Sequence, residues 1–118
     1  MRLRNILKIT NYQRMKYHFK MINKKYIDAI TTVAQTLETR NADYGDPFIL
    51  HEGIAKMWSV ILKRTITANQ VVMCMMAVKM ARLSLNDQTH DDSWKDLVGY
   101  AGIGRRIAEI EKELLKHK

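Results

Sequence analysis

Asp92 and Asp96, in the stretch DDSWKDLVGY (residues 91–100), stand one helical turn apart and are the residue pair whose type and spacing most suggest chemistry. Carboxylates at that spacing leave a helix on the same face. They can share a Mg²⁺ ion that keeps part of its water shell and completes its coordination with substrate oxygens. Upstream, Lys79 and Arg82 are the only charges in the apolar run from Val71 to Leu85. Three residues apart, they also share a helix face. An unpaired cation in apolar surroundings costs several kcal/mol, so both need anionic partners or water. A guanidinium fork beside an ammonium also suits a phosphate. Asp91, Asp43 and Asp46 are further acids that could join the cluster, with Asp46 expected mainly as a helix cap. Tyr44, Trp58, Trp94 and Tyr100 flank the same region and could stack on a base. The competing reading is an interhelical salt-bridge cluster with aromatic core residues around it. His51 is a single histidine without metal spacing, expected at the surface or at a helix cap, and His90 is a loop residue expected in solvent, with contact to a phosphate as the alternative.

Four helices have to position these residues. Ile27, Ile30, Val33, Ala34 and Leu37 fall on one face of a first helix over about residues 26–40. NADYGDP follows as a loop that ends in an N-cap Asp46 with Pro47 at the first helical position. Phe48, Ile54, Ala55, Trp58, Ile61 and Leu62 mark a second helix, broken by KRTIT. Thr67 and Gln70 form a capping-box pattern that opens a third helix to about Leu85. That helix is apolar nearly all round, which predicts burial on several sides, at the centre of the fold or of an oligomer interface. SLNDQTHDD is a loop, and a fourth helix begins near Asp92 or Ser93 and runs to the charged end. Its Gly99, Gly102 and Gly104 each cost about 1 kcal/mol relative to Ala, so either something approaches that face closely or the helix is interrupted.

With one Pro, five Gly and eight Met among its 118 residues, the chain reads as a single all-α domain, a four-helix-bundle-like fold stabilised by oligomerisation. A homodimer or homotetramer through the Met-rich third helix is expected. Cys74, the one cysteine, excludes an intrachain disulfide and is expected to be a buried small hydrophobe. The apolar runs are too short for a membrane span, and a cytoplasmic location is expected. The net charge of +8 is confined to the N-terminal end: residues 1–26 carry eight Lys or Arg and no acid, and the remainder carries twelve of each sign. Residues 1–25 therefore read as a basic leader, disordered or partly ordered, with Met15 and Met21 as alternative starts. Phosphate-backbone contact by this arm is the less favoured reading. Residues 26–118 form the folded domain. No Ser-His-Asp set, Gly-rich phosphate loop or zinc spacing is present.

Three segments in order, RNADYGDPFILHEGIAKMWSVIL, ITANQVVMCMMAVKMARL and HDDSWKDLVGYAGIG, resemble a family of small phage and prophage proteins. Its pattern is a YGDP loop, an I-A-x-x-W-S helix, a K-x-A-R-L helix and a D-x-W-x-D-x-x-G-Y helix. The likeness covers about residues 26–110 and implies a phage or prophage origin without naming an activity. The helix order is also distantly similar to the MazG-type all-α nucleotide pyrophosphohydrolases. These hydrolyse nucleoside triphosphates with Mg²⁺ held by an E-x-x-E pair and an E-x-x-D pair on successive helices. Laid on this chain, the second pair falls near Asp92 and Asp96, at a spacing of four. The first falls near AVKMAR, where Lys79 and Arg82 replace the acids. The resemblance implies a nucleotide ligand, with Asp92 and Asp96 on Mg²⁺, Lys79 and Arg82 on phosphates, and Trp94 or Tyr44 against the base. The activity implied is that of a nucleoside triphosphate pyrophosphohydrolase. The alternatives are nucleotide sequestration without catalysis and a structural or host-binding helical oligomer.

Overall fold

The sequence places its own helix starts, and the computed structural model follows them. It describes residues 3–21 and 26–118. Asp46 accepts a hydrogen bond from the Phe48 N–H at 2.9 Å, with Pro47 at the first helical position, and this starts α4 (Pro47–Leu62). Thr67 and Gln70 close a reciprocal capping box at the start of α5 (Ala68–Leu85), with Oγ1 accepting from the Gln70 N–H and Oε1 from the Thr67 N–H. Between them, Lys63 takes a left-handed conformation (φ 54°), and the Ser59 hydroxyl ties the turn by donating to the Ala55 carbonyl while accepting from the Ile66 N–H. The YGDP turn depends on Gly45 at φ 86°, a conformation costly for any residue with a Cβ. It joins α4 to α3 (Tyr26–Tyr44), which runs about one turn beyond Arg40, so residues 41–44 are helical where a loop is expected.

The last helix, α6 (Asp91–Lys116), starts one residue earlier than the acids suggest. His90 is its cap: its Nδ1 lies 3.3 Å from the Ser93 N–H and 2.8 Å from the Ser93 hydroxyl, both of which can donate to it. The helix is uninterrupted, and its glycines face neighbours. A Cβ at Gly99 would stand 3.7 Å from Val33, and one at Gly104 would stand 3.4 Å from Val72.

All described elements are helical. α6 packs along α5, α4 covers both, and α3 lies against α6. The core cluster is Ala68, Val72 and Ile107, with Phe48, Met76, Tyr100 and Ile103 packed on it. α3 contributes only Val33 as a buried residue and Leu37 as a half-buried one. Its threonines turn their hydroxyls back onto carbonyls one turn earlier instead. A cleft stays open between α3 and the other three helices.

Burial of α5 differs from what its apolar sequence predicts. The helix is central to the packing, yet it is buried on one side only, through Ala68, Val71, Val72 and Leu83. Its opposite face is open, and Cys74, on that face, is exposed rather than buried. In the basic leader, residues 1, 2 and 22–25 lie outside the described residues. The rest holds two helices, α1 (Leu3–Leu7) and α2 (Asn11–Lys20), the second opened by a capping box of Thr10 and Gln13. No side chain of α2 is buried. Among the described residues, no helix is long and apolar enough to cross a membrane.

Candidate functional site

The cleft has a volume of about 610 Å³, within the range of small-molecule sites. The register of α6 explains what faces it. Asp92, Asp96, Gly99, Tyr100 and Ile103 follow one another at helical spacings, so one stripe of the helix lines the cleft. Arg40 and Tyr44 line it from the end of α3, His51 from the first turns of α4, and Lys79 from α5.

Lys79 Nζ lies 3.0 Å from Asp96 Oδ2, with the two side chains 13% and 27% exposed. The cation embedded in the apolar helix thus finds its acid on the neighbouring helix, as its burial demands. Asp92, one turn before Asp96, is exposed at the cleft rim. Lys95 is also at the rim and is held by Asp91 at 2.9 Å. The hydrogen bond from Lys95 to Asp91 raises the ammonium above its ordinary range.

Lys79, Asp92, Asp96 and Tyr44 are therefore brought together, whereas Arg82 and Trp94 stand outside the cleft. Three residues turn a helix by about 300°, leaving Arg82 about 60° from Lys79, and α6 covers only the Lys79 side. Arg82 is exposed. Trp94 is two residues from both Asp92 and Asp96, which puts it on the far side of α6. There its indole N–H donates to the Gln88 carbonyl at 2.8 Å and fastens the loop before the helix.

His51, expected from the sequence at the surface or at a cap, is a cleft residue. It is 5% exposed, its Nδ1 is 2.7 Å from the Pro47 carbonyl, and its ring meets Tyr100 edge-on at 6.3 Å. A carbonyl can only accept, so Nδ1 carries the proton and Nε2 holds an open lone pair when the ring is neutral. Among the described residues no fully buried side-chain nitrogen or oxygen lacks a partner. Nε2, which has none, therefore reaches solvent. His51 shares a helix face with Ala55 and Trp58, an i, i+4, i+7 pattern that by itself marks the histidine as inward-facing.

Two carboxylates, one of them paired to Lys79, do not form a metal site by themselves. Among the described residues no group of three or more His, Cys, Asp or Glu is close enough to hold an ion. Asp92 and Asp96 fit Mg²⁺ only as part of a shell completed by water and a phosphate, which is how that ion is commonly bound. A second hollow, of about 750 Å³, lies at the α4–α5 turn between Lys56, Arg64 and Glu111. No partly buried ion pair lines it, so the α3–α6 cleft is the stronger candidate site.

The family described as "Domain of unknown function (DUF6378)" matches residues 28–108. The chain belongs to that family. Every cleft residue named above lies within the matched segment. Gene 55 protein of Mycobacterium phage L5 is 34% identical over 87 residues, covering 71% of this chain and 54% of the relative. Gene 55 protein of Mycobacterium phage D29 is 37% identical over 70 residues, covering 59% of this chain and 46% of the relative. The chain spans about half the length of these two phage proteins. No solved structure matches it.

Proposed function

We propose that the α3–α6 cleft binds a nucleotide through its phosphates. One observation carries this reading: a partly buried Lys79–Asp96 pair, a second carboxylate at Asp92, the Arg40 guanidinium and the Tyr44 and Tyr100 rings all line one cleft of ligand size. Lys79 is paired with Asp96 and Lys95 with Asp91, and Arg40 lines the same cleft, so the cations that would take an anion are gathered on one surface. Lys79 and Arg40 hold phosphate oxygens as a point charge and a fork. Asp92 and Asp96 would hold a Mg²⁺ ion, and the chemistry it would supply there is neutralisation of phosphate charge. Tyr44 or Tyr100 packs against the base.

Hydrolysis of a phosphoanhydride is a second reading, favoured by the open Nε2 of His51. In that reading water oxygen bonds to phosphorus, the bridging P–O bond breaks with its electrons leaving on the departing phosphate, and His51 Nε2 takes the water proton.

The test incubates purified protein with the common nucleoside and deoxynucleoside triphosphates and Mg²⁺, and follows melting temperature together with phosphate and pyrophosphate release. A raised melting temperature with at least one nucleotide supports binding, and pyrophosphate release supports turnover. If Lys79→Ala and Asp96→Ala lower the melting temperature while no nucleotide raises that of the parent protein, the cluster is a structural ion-pair network and the proposal fails.

A further inference from the structure

The outward faces of α4 and α5 carry a pattern that the cleft does not use. On α4 the exposed side chains include Ile49, Met57, Val60 and Ile61, with Val60 78% exposed. The only charge among them is Lys56, at the edge of the stripe. On α5 the exposed face holds Met73, Cys74, Ala77, Val78, Met80 and Ala81, with Arg82 at its margin.

Ile49, Met57 and Ile61 on α4 are 69%, 66% and 71% exposed, and Met73, Val78 and Met80 on α5 are 57%, 45% and 52% exposed, together on the order of several hundred Å² of apolar surface. That is as large as the largest apolar patch of an ordinary monomer. A stable interface needs roughly 800 Å² per partner, which only the two faces together would supply.

Two further observations say what kind of surface fits. Gln70, Cys74, Ala77 and Ala81 alternate spacings of four and three along α5, the repeat of a helix seam, here built of small or uncharged residues. Small residues along such a seam let helix axes come as near as about 8 Å. Gly53 sits in the middle of α4, on its exposed face, with nothing within 4 Å of where a Cβ would be. A glycine there costs about 1 kcal/mol against alanine, and nothing within the single chain requires it. An acidic peptide or a nucleic acid would be held by clustered cations, and these faces carry them only singly at their edges. An uncharged apolar helical surface is the complement, and the chain's own α4 and α5 supply one.

We propose that the α4 and α5 outer faces pair with the same faces of a second copy of this chain, in a two-fold dimer whose closest approaches are at Gly53 and along the Cys74–Ala77–Ala81 seam. This inference stands independently of the nucleotide reading.

The full chain should sediment at the mass of two or more copies and dissociate on dilution. Ala77→Glu should weaken the assembly by about a hundredfold or more, because an unpaired charge would be buried in the seam. Gly53→Ala should weaken it as well, although alanine favours the helix, and Lys56→Ala should leave it intact. Cys74 provides a readout that needs no variant: exposed in the single chain, it should react with a thiol reagent slowly in concentrated protein and faster after dilution. A one-chain mass at every concentration, an assembly that survives Ala77→Glu in folded protein, or Cys74 reactivity independent of dilution would each overturn the proposal.

Discussion

Lys79 on α5 and Asp96 on α6 meet at 3.0 Å, with the lysine side chain nearly buried and the aspartate open on the cleft side. Removing one member of such a pair leaves the other charge poorly solvated, and the better buried lysine is the one that suffers. Asp96→Asn should therefore lower unfolding free energy by about 1–3 kcal/mol. Lys79→Met should cost less, since it replaces a buried cation by an apolar chain of similar length. In denaturant titrations the double variant should lose less than the sum of the two. Asp92→Asn, at the exposed rim, should stay within about 0.5 kcal/mol.

The cleft and the far side of α6 should separate binding from stability. Arg40→Ala and Tyr44→Ala should leave the melting temperature of the free protein nearly unchanged and diminish the rise produced by nucleotide. Trp94→Phe should do the opposite: it removes the bond to the Gln88 carbonyl, at a cost of about 1 kcal/mol, without changing the nucleotide-induced shift.

His51 divides the two readings of the cleft. With turnover present, His51→Gln should reduce kcat by about 10²–10⁴-fold, the usual contribution of a positioned proton acceptor, with KM little altered. Equal kcat in the variant would leave His51 as a packing residue against Tyr100.

Asp87 gives a pH dependence with a defined sign. The Thr89 hydroxyl, 2.6 Å from Asp87 Oδ1, is the largest of the contacts that hold the carboxyl well below the usual carboxylate range, and the Thr89 backbone N–H is among the others. A depressed carboxylate contributes stability that is complete above the unfolded value near pH 4 and disappears as pH falls toward the folded one. Thr89→Val should lower the melting temperature at neutral pH, and the difference from the parent should shrink steadily below about pH 4. A difference that grows in acid would contradict this assignment.

The last four helices are legible in the sequence because their signals are local. Asp46 with Pro47, and Thr67 with Gln70, satisfy backbone groups within a few residues of themselves, so type and spacing suffice. The demand that Lys79 find an acid is legible too, since burying a cation in apolar sequence dictates a partner wherever the chain goes. α2 carries the same local cap in Thr10 and Gln13, but neither it nor α1 has an apolar stripe that a core selects, so composition alone reads that segment as a leader. Sequence alone does not determine which of Lys79 and Arg82 turns inward, on which side of α6 Trp94 stands, or that His51 joins the cleft. Those outcomes depend on the angular position at which one helix lies on the next. Packing decides that angle through contacts between distant residues such as Gly99 with Val33 and Gly104 with Val72, and no local spacing records it.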